Sequence, residues 1–183
     1  MKIKQLSMLC ILSFSHPGLV LGNEFDPETS DRIKQASNTT TPKTRISQLA
    51  KDDDELVRAA VASNRRVPAD IHLQLANDHS VEVRMALALN IDAPEQAKLI
   101  LARDDNHDVR LRLAKCGYMY PSVLKVLAKD SSTEVRHLVA VNHNTTGEVL
   151  TMLINDTDHL VRKDAKKHPE MTTDILALAV TDD

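Results

Sequence analysis

Six arginines, Arg32, Arg58, Arg84, Arg110, Arg136 and Arg162, recur at a constant interval of 26 residues in this 183-residue chain. Each follows an aspartate by six positions: Asp26, Asp52, Asp78, Asp104, Asp130 and Asp156. A bare row of guanidinium groups is chemistry for phosphate, whereas a row of guanidinium–carboxylate pairs is chemistry for an internal ladder. The matched aspartates favour the ladder: each arginine has an acid in register, so the stripe is neutralised and ties an interhelical turn to the next helix. Pairing inside the unit predicts that Arg110 serves Asp104. Removing Arg110 from a buried pair of that kind strands the carboxylate at a cost of about 3–5 kcal/mol.

Other reactive constellations fail on their spacing. Asp104-Asp105-Asn106-His107-Asp108 begins like a calcium loop, with oxygen donors at its first, third and fifth positions. Val109 then replaces the required glycine and Lys115 the closing glutamate, so these acids read as turn and helix-capping residues, as do Asp52-Asp53-Asp54-Glu55. The histidines at 72, 79, 107, 137, 143, 159 and 168 include no i, i+4 pair of the kind that holds zinc on a helix. Nothing pairs Cys116 with a base, and no Gly-x-Ser-x-Gly elbow occurs. Four glycines in total are too few for a phosphate cradle, which excludes a Rossmann fold and a P-loop. No catalytic residue, metal or cofactor is expected.

The elements that position these residues follow from the same period. Leu-Ala precedes the aspartate in most copies (Leu49-Ala50, Leu75-Ala76, Leu101-Ala102, Leu127-Ala128), with Leu153-Ile154 in the last. Val57, Val83, Val109, Val135 and Val161 precede the arginines, and Ala62, Ala88, Ala114 and Ala140 lie four residues beyond them. Asn64, Asn90 and Asn142 come next, with Cys116 and His168 in the same column. Each unit resolves into two short helices. One opens at a proline (Pro68 to about Ala76); the other follows an N-cap at Asp54, Ser80, Asn106, Ser132 or Asp158 and ends near the asparagine, in the left-handed conformation that Asn or Gly tolerates. Helices of this length are marginal alone and gain stability by stacking, the logic of a solenoid. The fold class expected is all-α, a right-handed α-solenoid of helix pairs. A degenerate repeat spans about 26–51, and full repeats span about 52–77, 78–103, 104–129, 130–155 and 156–181. The charged column at Lys166 marks a terminal unit, covered by a last helix at about 173–180.

Residues 1–22 have the form of a secretory signal: Lys2 and Lys4, an apolar run from Leu6 to Phe14, and a cleavage site between Gly22 and Asn23. The remaining chain, 23–183, would hold 21 basic and 26 acidic residues, a net charge of −5 against −3 for the whole chain. It would keep one cysteine, Cys116, and so form no internal disulfide. Such a product is periplasmic or secreted and spans no membrane.

The motif Leu-Ala-x-Asp, Val-Arg, Ala, Asn and Pro, repeated through nearly all of the mature chain, resembles the HEAT-like repeats. At this short period it is more similar to the bacterial leucine-rich repeat variant, from which it departs by two extra residues per unit. The resemblance implies an interaction surface on the second helices. An iron–sulfur cluster like that of the variant's prototype finds too few cysteine ligands here. On the variable columns, Met85, Leu89, Leu111, His137 and Val141 form a strip with acid at one edge, suited to a protein or peptide partner. The function expected is a non-enzymatic, exported scaffold for protein–protein interaction. Two other readings start from the same fold: a HEAT-like nucleic-acid-binding or base-repair protein, and a tetrapyrrole lyase.

Overall fold

The computed structural model describes residues 26–172, and among them all regular structure is helical. Six helices carry the arginine column: α1 (Pro27–Ser37), α3 (Glu55–Ser63), α5 (Val81–Ala88), α7 (His107–Ala114), α9 (Thr133–Ala140) and α11 (His159–Lys167). Between them lie five seven-residue helices: α2 (Lys43–Leu49), α4 (Ala69–Leu75), α6 (Glu95–Leu101), α8 (Pro121–Leu127) and α10 (Gly147–Leu153). The expected terminal helix at 173–180 and the leader at 1–22 lie outside the described residues. Each arginine helix packs on the next in series, and each short helix lies against the two that flank it, the contact pattern of a solenoid.

The apolar columns meet in one continuous core. Val57, Val83, Val109, Val135 and Val161 are fully buried, as are Leu75, Leu101 and Leu127. The alanine column from Ala62 to Ala140 is buried as well, and these small side chains permit close approach of successive second helices. Lys166, in the same column, is exposed.

The ladder runs between units, a correction to pairing inside the unit. Arg110 donates from Nε to Asp130 Oδ2 at 2.7 Å and from Nη2 to Asp130 Oδ1 at 3.3 Å. Its Nη1 turns back to the backbone carbonyls of Asp104 and Asp105. Arg58–Asp78, Arg84–Asp104 and Arg136–Asp156 repeat this grip, and Arg32 reaches Asp52 through Nε. Each guanidinium from Arg58 to Arg136 thus clamps the carbonyls of its own turn to the carboxylate of the following one, whereas Arg32 holds the side chains of Glu28 and Thr29 on its own helix. Arg162 likewise donates to the Asp156 and Thr157 carbonyls. Every aspartate from Asp52 to Asp156 also accepts the backbone N–H two residues on, which shapes the turn that starts the next helix. Burial raises the Asp78 and Asp130 carboxyls, but hydrogen bonds from arginine and backbone outweigh it, and both titrate below the ordinary range. For Asp156 the Arg136 hydrogen bond is the largest influence, with the same net direction.

A second ladder closes the other end of these helices. No residue described adopts positive φ, so the left-handed helix ends expected at the asparagines do not occur. Asn64 is extended, at φ −75° and ψ 124°. Its amide donates backwards to the carbonyls of Ala36 and Asn38, and its Oδ1 accepts from Arg66 N–H. Asn90 does the same to Ala62 and Asn64, and Asn142 reaches the Cys116 carbonyl. His168 substitutes an imidazole: Nδ1 accepts from Glu170 N–H, so Nε2 carries the hydrogen given to the Asn142 carbonyl. Cys116 has no amide to give and bonds only locally, Sγ to the Tyr118 carbonyl at 3.4 Å. Of the N-caps, Asp54, Asn106 and Asp158 accept first-turn amides as expected. Ser80 and Ser132 occupy the position without side-chain capping.

Candidate functional site

The variable strip is not uniform along the array. Small residues on α3 (Ala59, Ala60, Ala62 and Ser63) let α5 pack closely against it. The α7–α9 step is bridged by Lys115 and Glu134 at 3.6 Å, and the α9–α11 step by His137 and Asp164 at 2.7 Å. Between α5 and α7 the described residues place no ion pair on this face, and a groove of about 630 Å³ remains.

Both walls of the groove are built by helical spacing. Glu82 and Met85 on α5 and Leu89 at its C-cap lie at i, i+3 and i+7, and Asp108, Leu111 and Arg112 on α7 and Lys115 at its C-cap take the matching places. The floor is therefore apolar in the middle, acidic at the helix N-termini and basic at the C-termini. Met85 and Leu111 are half-buried against the core, and Leu89 is 38% exposed. Of the five strip residues, Met85, Leu89 and Leu111 line this groove together. His137 and Val141 do not; His137 is held by Asp164, and Val141 stands 45% exposed on α9.

Two polar features escaped the sequence reading. The first is at the N-cap of α5, where that helix meets α3. The Ser80 hydroxyl, 6% exposed, lies 2.7 Å from Glu55 Oε2 and 2.9 Å from Glu82 Oε2. The second is the 26-residue column Ile46, His72, Lys98, Leu124 and Leu150 on the short helices, where every side chain is buried. Lys98 is wholly inaccessible; its Nζ has no hydrogen-bond partner among the described residues and sits 5.8 Å from the centre of the Tyr120 ring. Burial lowers its affinity for a proton, opposed by the Cys116 thiol and the Asp92 carboxylate. His72 is likewise kept neutral by burial. A column with apolar residues at both ends and two basic ones between was the available signal.

Among the described residues no three His, Cys, Asp or Glu side chains converge on a metal position, and no helix is long and apolar enough to cross a membrane. Neither a protein-family model nor a curated protein matches the chain. A solved leucine-rich repeat variant, described as having a novel repetitive structural motif, superposes with a TM-score of 0.57 at 27% sequence identity. The chain has a helical-repeat fold similar to that of this leucine-rich repeat variant. The match covers 85% of this chain and 66% of that protein, so the repeat spans about two thirds of the other's length. The helix order agrees with the expected repeat architecture.

Proposed function

We propose that the chain is a non-enzymatic scaffold, exported with removal of residues 1–22, that binds another protein through the groove between α5 and α7. The carrying observation is that groove: an apolar floor of Met85, Leu89 and Leu111 left open where the neighbouring steps are closed by packing or ion pairs. Phosphate recognition gains nothing from the arginine row, because Arg58, Arg84, Arg110 and Arg136 are each engaged by a carboxylate. The test is chemical crosslinking in the native extracellular or periplasmic fraction, comparing the wild type with Met85→Glu/Leu111→Glu at matched thermal stability. A partner captured by the wild type and lost from the variant is expected. Identical captures, or none, count against the proposal. Mass spectrometry of the purified native protein should find Asn23 at its N-terminus; an intact Met1 would overturn export.

A further inference from the structure

We propose that Lys98 and Cys116 form an oxidative modification site, at which a peroxide joins Lys98 Nζ to Cys116 Sγ through a covalent sulfur–nitrogen bond. Register brings the two side chains together. One period earlier the same two columns hold His72 and Asn90, and there the side chains meet inside the core, with His72 Nε2 at 3.4 Å from Asn90 Nδ2. Cys116 keeps the backbone of its column. Its N–H donates to the Leu113 carbonyl as that of Asn90 does to Leu87, and its carbonyl accepts from the Asn142 amide as that of Asn64 does from Asn90. Lysine is longer than histidine and cysteine shorter than asparagine, so the two replacements compensate along the line of contact. Lys98 extends toward the loop that carries Cys116: its Nζ lies 5.8 Å from the centre of the Tyr120 ring, and the thiol bonds the Tyr118 carbonyl. After burial, the Cys116 thiol is the largest influence on the Lys98 amine.

The fold makes little use of either group. Lys98 Nζ is wholly buried and has no hydrogen-bond partner among the described residues, and the Asp92 carboxylate that attracts it is held by Arg65. Burial favours the neutral amine, which carries the free electron pair a nucleophile needs. Cys116 is 8% exposed; Gly117 and Tyr118 beside it are open to solvent, and a side chain at Gly117 would meet nothing. A molecule as small as hydrogen peroxide therefore has an approach to the sulfur. The sulfur attacks the O–O bond, is oxidised by two electrons to the sulfenic acid and releases one water. Lys98 Nζ then attacks that sulfur: the S–O bond breaks, the hydroxyl leaves with one amine proton as a second water, and the S–N bond forms. The chain loses two hydrogens in all, and the peroxide is reduced to water. The new bond ties α6 to the end of α7, at the rung where the asparagine ladder lacks its amide.

The test treats the purified full chain with about two equivalents of hydrogen peroxide, digests it with trypsin and reads the peptides by tandem mass spectrometry. Trypsin does not cut at a lysine whose amine is bonded. The expected product is therefore peptide 85–103, uncut at Lys98, joined to peptide 116–125, with a mass about 2 Da below the sum of the two. Tandem spectra separate this bond from oxygen gained at Met85 or Met119. Dithiothreitol should return the free thiol and restore cleavage at Lys98. Lys98→Met and Cys116→Ser, each shown to be folded by circular dichroism, should give no joined pair. Oxidation of Cys116 to sulfinic or sulfonic acid with Lys98 still cleaved overturns the proposal. So does a thiol that stays free under peroxide, or a Cys116 disulfide between two chains. A joined pair with an oxygen located in the linkage itself refutes the sulfur–nitrogen bond.

Discussion

Replacing Arg110 by alanine breaks the middle rung of the ladder, and the structure dictates which carboxylate suffers. Asp130, with 3% of its side chain exposed, loses two guanidinium bonds and keeps only the Ser132 amide. The carbonyls of Asp104 and Asp105 lose a donor as well. Removing one partner of a buried pair costs about 3–5 kcal/mol, a large share of the ~5–15 kcal/mol that holds a domain together. The decisive measurement is a pair of double-mutant cycles in urea, followed by circular dichroism at 222 nm, because the chain has no tryptophan. Arg110→Ala with Asp130→Ala should show a coupling of about 2–3 kcal/mol. Arg110→Ala with Asp104→Ala should couple by less than about 0.5 kcal/mol, since the Asp104 carboxylate belongs to Arg84 and its carbonyl survives the substitution. Equal coupling to both aspartates, or an Arg110→Ala variant as stable as the wild type, would refute the inter-unit clamp.

Three further outcomes follow from the same contacts. Cys116→Asn should restore the missing asparagine rung by reaching the carbonyls of Ala88 and Asn90, the period equivalents of Ala62 and Asn64, and raise stability by about 1 kcal/mol; an unchanged urea midpoint would count against it. Lys98 takes up a proton less readily when folded, so below its ordinary value of 10.5 the unfolded chain binds more protons and stability must rise with pH toward that value. Lys98→Met should therefore be more stable than the wild type at pH 7, with the difference shrinking by pH 10; a constant difference contradicts this. The carboxyls of Asp78, Asp130 and Asp156 are lowered from 3.8, so their contribution is complete above that pH and lost as pH falls through their folded values. The thermal midpoint should decline gently from pH 7 to 5, as the unfolded chain protonates His72, and drop steeply below 4, which a calorimetric pH series checks.

A great deal of the molecule was legible in its one-dimensional pattern. Val57, Val83 and Val109 recur every 26 residues and are buried every time, because stacking identical units gives each column a single environment. Prolines, N-caps and apolar spacing placed the helix pairs to within a residue or two. The same periodicity hid the direction of the ladder. An aspartate six residues before an arginine and one twenty residues after it occupy one column, since the two offsets differ by a full period. A repeat assigns columns; only packing chooses the unit. The guanidinium chooses the next unit because its fork has carbonyls on one side and a buried carboxylate on the other. The asparagine column shows the same division. Its residue type marked a helix end, but the backbone there is extended and the amide reaches 26 and 28 residues back.

The groove lies on the tertiary side of that line. Met85, Leu89 and Leu111 stood out as variable residues on one face, but His137 and Val141 shared their columns and looked equivalent. What separates them is local: alanines on α3 draw α5 close, and Lys115 and His137 bridge the later steps. The sequence alone determined the period, the helix pairs and the apolar columns, because these depend on spacing within one unit. The tertiary structure decided which carboxylate each arginine holds, which step stays open and that Lys98 is sealed in the core, because each of these depends on contact between units.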